Sequence, residues 1–458
     1  TEYYDSNYNL IDSGVFNDIP HYWKDGSGGY YLEIGDAADS IGSGAFRNSS
    51  NLTGTIVIPH SVKTIAEQAF KGCSGVNNYV FLDGVKGIYT SVFEANSSIK
   101  KMIFPYSLDV LGQYSLNGCT SLEEIDVPNA ERIGYEWSMT RDCDNLKKVT
   151  IGRNVGPRKT SIDGFAFRYC GKNVTNGEVT IDYSVDNVSA RSFSAQDAGT
   201  IQGYPWIKKL TLGCREIDSG AFKEQSNITD LTLRNSVRRI RENAFEGCTG
   251  LTSVSMNDGN FIHRKAFQNC SNINYVRFGR FNTNVTNDRK ILAGGFRDVG
   301  QNVTNGEVRI GSSVRELRDN AFFGDYPWIK TAEVKCHIIE QSCFRNQTNL
   351  ETLETNKDYL TFIETGAFEN CTKLSSDFVN VSPDLVIEND AFKDCPLGNV
   401  YLNTSTGDVS TSAFTNSMTG DFYIHEAELL GWTTGVGTAP NGRDLYEWEN
   451  FPTATPNT

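Results

Sequence analysis

No stretch of this 458-residue chain approaches 18 consecutive apolar residues, so no transmembrane helix is expected and no membrane insertion in this segment. Histidine is scarce, at 5 residues, and His21, His60, His263, His337 and His425 are far apart in sequence. With no CxxC and no HExxH, no metal site is expected. GxSxG is absent and no cysteine is read as paired with a histidine, so no catalytic residue and no cofactor-binding residue is assigned and the chain is expected not to be an enzyme. The glycines of Gly431-Trp-Thr-Thr-Gly435-Val-Gly437 do not lead into a helix and so lack the setting of a phosphate loop. Positive charge is also in deficit, 42 Lys+Arg against 56 Asp+Glu, a net −14 that argues against nucleic acid as a partner. The deficit is uneven: residues 205–320 hold 18 basic against 12 acidic residues, a basic middle between acidic ends. The first residue is Thr1 rather than Met, which suggests a processed or excised form. Aromatics reach 11%, too many for a disordered chain.

What is present is repetition. An aliphatic residue, polar or small residues, a small residue and Phe recur as Ile41-Gly-Ser-Gly-Ala-Phe46, Ile65-Ala-Glu-Gln-Ala-Phe70, Ile217-Asp-Ser-Gly-Ala-Phe222, Ile240-Arg-Glu-Asn-Ala-Phe245, Ile363-Glu-Thr-Gly-Ala-Phe368 and Ile387-Glu-Asn-Asp-Ala-Phe392. Weaker copies at Phe16, Phe93, Leu116, Met139, Phe167, Phe193, Phe267, Phe296, Phe322, Phe344 and Phe414 bring the units to 17. About ten residues after each anchor comes a second signature, as in Leu122-Glu-Glu-Ile125-Asp-Val127 and Leu251-Thr-Ser-Val254-Ser-Met256. Its final apolar–x–apolar alternation is that of a short strand with one face buried. One unit cannot bury its own Ile, Leu and Phe; stacked units can. The fold class expected is therefore an α+β repeat solenoid, with parallel strands on one side. Short helical turns opened by residues such as Ser43 or Glu67 are expected on the other.

The combined phrase, as in Leu52…Ile58-Pro-His-Ser-Val62-Lys-Thr-Ile65…Ala69-Phe70-Lys-Gly-Cys73, resembles the BspA-like leucine-rich repeat family over residues 10–424 or so. The resemblance implies a leucine-rich repeat arc, here of about 17 coils, with its strands on the concave face. It also implies an exported bacterial surface protein, extracellular or at the cell surface, that acts in adhesion. The domains expected are a solenoid over 1–424 with an N-terminal coil or cap to about residue 31, a C-terminal cap over 425–451 and a tail over 452–458. Departures from the pattern are Leu116 and Met139 at the Phe position and a blurred strand near residue 378.

A larger duplication overlies the units. Asn173-Val-Thr-Asn-Gly-Glu-Val179 returns as Asn302-Val-Thr-Asn-Gly-Glu-Val308, and Tyr204-Pro-Trp-Ile-Lys208 as Tyr326-Pro-Trp-Ile-Lys330. Trp206 and Trp328 are read as covers for the apolar edge of a lengthened coil, recognition loops being the other reading. Cys73, Cys119, Cys170, Cys248, Cys270, Cys371 and Cys395 fall three residues after an anchor, where other units carry Ser49, Asn96 or Gln225. Buried free thiols acting as small hydrophobes are expected, with a cross-coil bridge such as Cys248–Cys270 as the alternative.

The central residue of each apolar–x–apolar triplet should point outward, which allows the binding face to be listed in order. It runs Glu33, Val57, Val80, Ile103, Asp126, Thr150, Thr180, Thr211, Thr232, Ser255, Arg277, Arg309, Glu333, Glu354, then Tyr401 and Tyr423. Three consecutive aliphatics facing water suggest a contact surface, and the tyrosines a place for a sugar ring or a peptide. The partner-binding candidates are Val57, Val80, Ile103, Arg277, Arg309, Tyr401 and Tyr423. The function expected is an adhesin engaging host or microbial surface proteins or glycans. A self-assembling subunit of an extracellular filament, appendage or virion is the alternative.

Overall fold

The computed structural model describes residues 30–134, 137–153, 160–195, 203–256, 261–280, 290–291, 294–403, 408–410, 412–417 and 419–425, together with the strands Tyr3–Tyr4, Leu10–Asp12, His21–Lys24 and Leu445–Glu447. The chain divides into two compact units, residues 1–251 and 252–458. Each is a stretch of repeat solenoid.

One coil shows how the sequence makes the fold. Strand Gly54–Ile58 buries Ile56 and Ile58 and exposes Thr55 and Val57, as its alternation requires. The chain turns at Pro59 and forms a second, two-residue strand, Thr64–Ile65, that buries Ile65. It then runs through a row of turns carrying Ala69 and Phe70, both fully buried, and returns. From Gly54 on, the paired long strands lie parallel, as do the short ones: Gly54–Ile58 pairs with Val76–Phe81, and Thr64–Ile65 with Ser40–Ile41 and Gly87–Ile88. Before them, Tyr30–Glu33 pairs antiparallel with His21–Lys24. The sequence pattern announced the long ladder. The short one, two residues per coil, was too brief to show a period, and only its single aliphatic residue was visible.

Among the described residues there is no helix, so the α+β expectation is corrected to an all-β solenoid. The reason lies in the backbone of the anchor segment. Gln68, Phe70 and Gly72 donate their amides to Thr90, Val92 and Glu94 of the next coil, at 3.0, 3.0 and 2.8 Å. The amides between them close tight turns instead, Ala69 to Ala66 and Lys71 to Gln68. This alternation places left-handed residues two before and two after most of the Phe anchors: Gln68 and Gly72 at φ 58° and 75°, Gly366 and Asn370 at 62° and 63°. A right-handed helix cannot contain that pattern. Nor is the count of seventeen coils met: among the described residues the short strands number nine before Leu251 and six after it, about fifteen turns. The anchor Phe16 lies outside the described residues.

All anchors from Phe46 to Phe414 among the described residues are buried. In the second unit the rings of Phe267, Phe296, Phe322, Phe344, Phe368, Phe392 and Phe414 form one column, with centroids 5.0–5.4 Å apart and nearly parallel planes. In the first unit the column runs Phe46–Phe70–Phe93 and Phe167–Phe193–Phe222–Phe245, and Leu116 and Met139 replace the rings between.

All eleven cysteines are free and buried. They are more than hydrophobes: Sγ of Cys73, Cys119, Cys371 and Cys395 donates to the carbonyl of Phe46, Phe93, Phe344 and Phe368 in the preceding coil, at 3.0, 3.2, 3.3 and 3.0 Å. In four other coils the position is another donor to the same carbonyl: Asn96 to Phe70, Gln225 to Phe193, Gln347 to Phe322, Ser417 to Phe392. A shared donor role explains why Cys, Asn, Gln and Ser interchange in these coils, although Val299 and Asp325 stand at the same point after Phe296 and Phe322. Burial pushes the thiols of Cys73, Cys119 and Cys170 up to about 12, so they stay protonated at neutral pH. A proton held to about 12 in the fold, against about 8.5 when unfolded, favours the fold in full below pH ~8.5, and stability falls as pH rises toward ~12. The native thiols are expected to ignore an aromatic disulfide reagent at pH 8 until denaturant is added. Cys119→Ser should cost little, whereas Cys119→Val, which leaves the Phe93 carbonyl one donor short, should cost about 1–2 kcal/mol in urea unfolding. Equal costs for the two would refute the donor role.

Candidate binding face

The outward column read from the triplets exists in register. In the first unit Glu33 pairs with Val57 and Val57 with Val80, and the row Ile103, Asp126, Thr150, Thr180, Thr211, Thr232 is continuous. In the second unit Ser255, Arg277, Arg309, Glu333 and Glu354 form one row, and Val379, Tyr401 and Tyr423 another. Val379 supplies the rung missing at the blurred unit.

Val57, Val80 and Ile103 are 43%, 38% and 48% exposed, although their neighbours Ile56, Ile58, Tyr79 and Met102 are buried and Phe81 is half-buried. Two residues that the sequence reading missed enlarge this apolar surface, Leu82 at 44% and Tyr106 at 53%. Leu82 sits two residues beyond Val80 and shares its side of the chain, but the unbroken run Tyr79-Val-Phe-Leu82 hid the alternation. Tyr106 is held by Arg153, which donates from Nε to its hydroxyl at 3.1 Å and from Nη2 to Asp126 at 3.0 Å. The aliphatic patch thus ends at a hydrogen-bonded charged pair.

A second register also escaped the sequence reading. Two residues before the outward column stand Lys101, Glu124, Lys148, Glu178, Lys209 and Asp230, alternating in sign coil by coil. Lys101–Glu124 and Lys209–Glu178 are ion pairs, both at 3.1 Å. In a parallel ladder like residues stack on like positions, so alternation removes the repulsion that a uniform column would build up.

In the second unit Arg277 and Arg309 are direct partners in the ladder. Arg309 is clamped by Glu333 at 2.6 Å, which holds its proton more firmly. Tyr401 and Tyr423 stack at 4.7 Å with their planes 12° apart. Burial, then the neighbouring Tyr401, Asp421 and Asp377, raises the Tyr423 hydroxyl above its ordinary value.

One acidic group lies elsewhere. Carboxylate oxygens of Asp319, Glu340 and Glu364 fall within 4.8 Å of one another. Burial, then a hydrogen bond with Asp319, pushes Glu340 up to about 7, and Arg318 pairs with it at 3.1 Å. The Arg318 guanidinium already faces this cluster. Among the described residues no helix is long and apolar enough to cross a membrane.

The repeat model of the BspA type leucine-rich repeat region matches residues 39–174, 160–289 and 297–420. Among solved structures, a leucine-rich repeat protein from Bacteroides ovatus is 16% identical, with 95% of this chain and 99% of that one covered and a TM-score of 0.36. A leucine-rich cell surface protein from Faecalibacterium prausnitzii is 16% identical over 85% of this chain and 78% of that one, with a TM-score of 0.24. The pneumococcal vaccine antigen PcpA is 14% identical over 94% and 88%, with a TM-score of 0.25. No curated protein matches the sequence. With the family's repeat covering most of the chain, and with the coils, buried anchors and strand ladders in place, the chain belongs to the BspA type leucine-rich repeat family.

Proposed function

We propose that this protein is a non-catalytic binding protein of a bacterial surface, an adhesin that engages host or microbial surface molecules through the face of its long strands. The observation that supports this most directly is the row Val57, Val80 and Ile103, widened by Leu82 and Tyr106. These are large apolar groups held in water on a rigid scaffold, next to polar rungs of the same ladder. Sheet geometry does not require valine there, since Thr150, Thr180, Thr211 and Thr232 fill the same position in later coils. Membership of a family of exported surface proteins supports the location.

Replacing Val57, Val80 and Ile103 together by Thr tests the reading. The exchange keeps the β-branched shape and removes a share of apolar contact worth ~1 kcal/mol per residue if a partner covers them, together about 100-fold in affinity. Binding to immobilised matrix proteins or a glycan array should fall by that order, with the melting temperature nearly unchanged. Undiminished binding by the triple variant would overturn the proposal.

A further inference from the structure

The long-strand face of the second unit changes character over the coils that carry Val379, Tyr401 and Tyr423. The residues just before these strands are Asp377, Asn399 and Asp421, each two positions ahead of a member of that row and therefore on the same side of the pleat. They are fixed to one another through the backbone. Asp377 Oδ1 accepts the Asn399 amide at 2.7 Å, Asn399 Oδ1 accepts the Asp421 amide at 3.0 Å, and Asn399 Nδ2 donates to the Tyr401 hydroxyl at 3.3 Å. The ion pairs of this unit, such as Lys330–Glu351, Lys335–Glu354 and Arg345–Glu369, involve neither Asp377 nor Asp421 among the described residues. Two carboxylates without counter-ions therefore stand two coils apart, ~10 Å by strand spacing, beside an aromatic pair.

The stacking decides what can approach. Each tyrosine covers one face of the other, and Asn399 holds the Tyr401 hydroxyl, so the inner faces are closed to a sugar ring. An anionic ligand meets like charge. A long apolar stem ending in a cation suits the place: the stem can lie along Val379 and the ring edges, and its N–H groups can reach the carboxylates.

We propose that Asp377, Asp421, Tyr401 and Tyr423 form a docking site for a cationic segment of a partner protein, one that presents Lys or Arg side chains. The proposal rests on reading the long-strand face as the binding surface and names a partner class for a second place on it.

The test uses the full chain and a fluorescent Arg-rich octapeptide, with binding followed by anisotropy at ~0.15 M salt, where distant charges are screened. Asp377→Asn/Asp421→Asn preserves shape and the acceptor for the Asn399 amide. The control Asp325→Asn/Asp358→Asn removes the same charge from exposed positions of the same unit away from this row. The expected result is a loss of about tenfold or more for the first pair, as for two charge-assisted contacts, and less than about twofold for the control. Equal losses, which would report net charge alone, no loss in the first pair, or no binding by the parent chain would each overturn the proposal. The Val57/Val80/Ile103 variant, run alongside, should keep its peptide affinity. If the octapeptide fails while that variant still loses its immobilised partner, only the cationic site falls; if both fail, the reading of the whole face falls.

Discussion

Trp206→Ala is expected to destabilise the protein by about 3–5 kcal/mol, near the upper limit for a core truncation, and Trp328→Ala by a similar amount. Both indoles are 1% exposed. Each fills a space that two glycines leave. A Cβ on Gly177 would meet Trp206 Cε3 at 2.3 Å, and one on Gly171 would meet Cγ at 2.5 Å; Gly306 and Gly300 stand in the same relation to Trp328, at 2.3 and 2.6 Å. The backbone joins the same parts, Gly177 donating to the Trp206 carbonyl at 2.9 Å and Gly306 to that of Trp328 at 2.8 Å. The two duplicated phrases, Asn-Val-Thr-Asn-Gly-Glu-Val and Tyr-Pro-Trp-Ile-Lys, are thus halves of one packing unit, which is why they recur together. The reading of the tryptophans as covers for a lengthened coil is borne out by their burial. Gly177→Ala should itself cost about 1–3 kcal/mol by overpacking. In the Trp206→Ala background the part of that cost due to the ring should vanish, leaving the contact of the added Cβ with the carbonyl oxygen of residue 206 at 2.8 Å. A double-mutant cycle from urea unfolding, followed by circular dichroism, should show coupling above about 1 kcal/mol. Additive costs would mean that the glycine and the tryptophan are unrelated.

Phe368→Ala should cost a comparable ~3–5 kcal/mol, for a different reason. Phe368 lies between Phe344 at 5.1 Å and Phe392 at 5.0 Å, so its removal opens a gap in a continuous column and strips one partner from each neighbour. In a solenoid each coil leans only on adjacent coils, and the damage should be local. The amides of Phe344 and Phe368, which donate to Ala367 and Ala391 at 2.7 Å, should lose hydrogen-exchange protection most. Phe368→Leu should cost much less, about 1–1.5 kcal/mol, since Leu116 occupies the equivalent place in the first unit and is fully buried there. Equal losses for alanine and leucine would show that the ring column is not the source of the stability.

The repeat phrases made the long strands and the outward column legible because both follow from a period of two and a return every two dozen residues or so. Val57 and Ile103 could be assigned to the solvent side for that reason alone. Leu82 could not, because its neighbours are apolar on both sides of the chain. The expected helical turns failed on a backbone preference that the letters do not carry. Gln68, Ser91 and Tyr114 are left-handed at φ 58°, 57° and 55°, although none is a glycine. Their own amides are taken by the next coil, at Thr90, Gln113 and Ser138, and that contact outweighs the local cost of about 1–2 kcal/mol per residue.

The sequence by itself determined that units repeat, which residues of each unit avoid water, and where the outward row falls, since side-chain alternation and period are properties of the chain alone. Tertiary structure decided the rest: that the anchor segment bonds outward to its neighbour instead of closing a helix, that cysteine serves as a donor to a phenylalanine carbonyl, that Gly177 exists for Trp206, and that Asp377 and Asp421 flank stacked tyrosines. Each of these joins residues roughly 20–30 positions apart, and the spacing that makes them partners is set only when one coil has come to rest on the next.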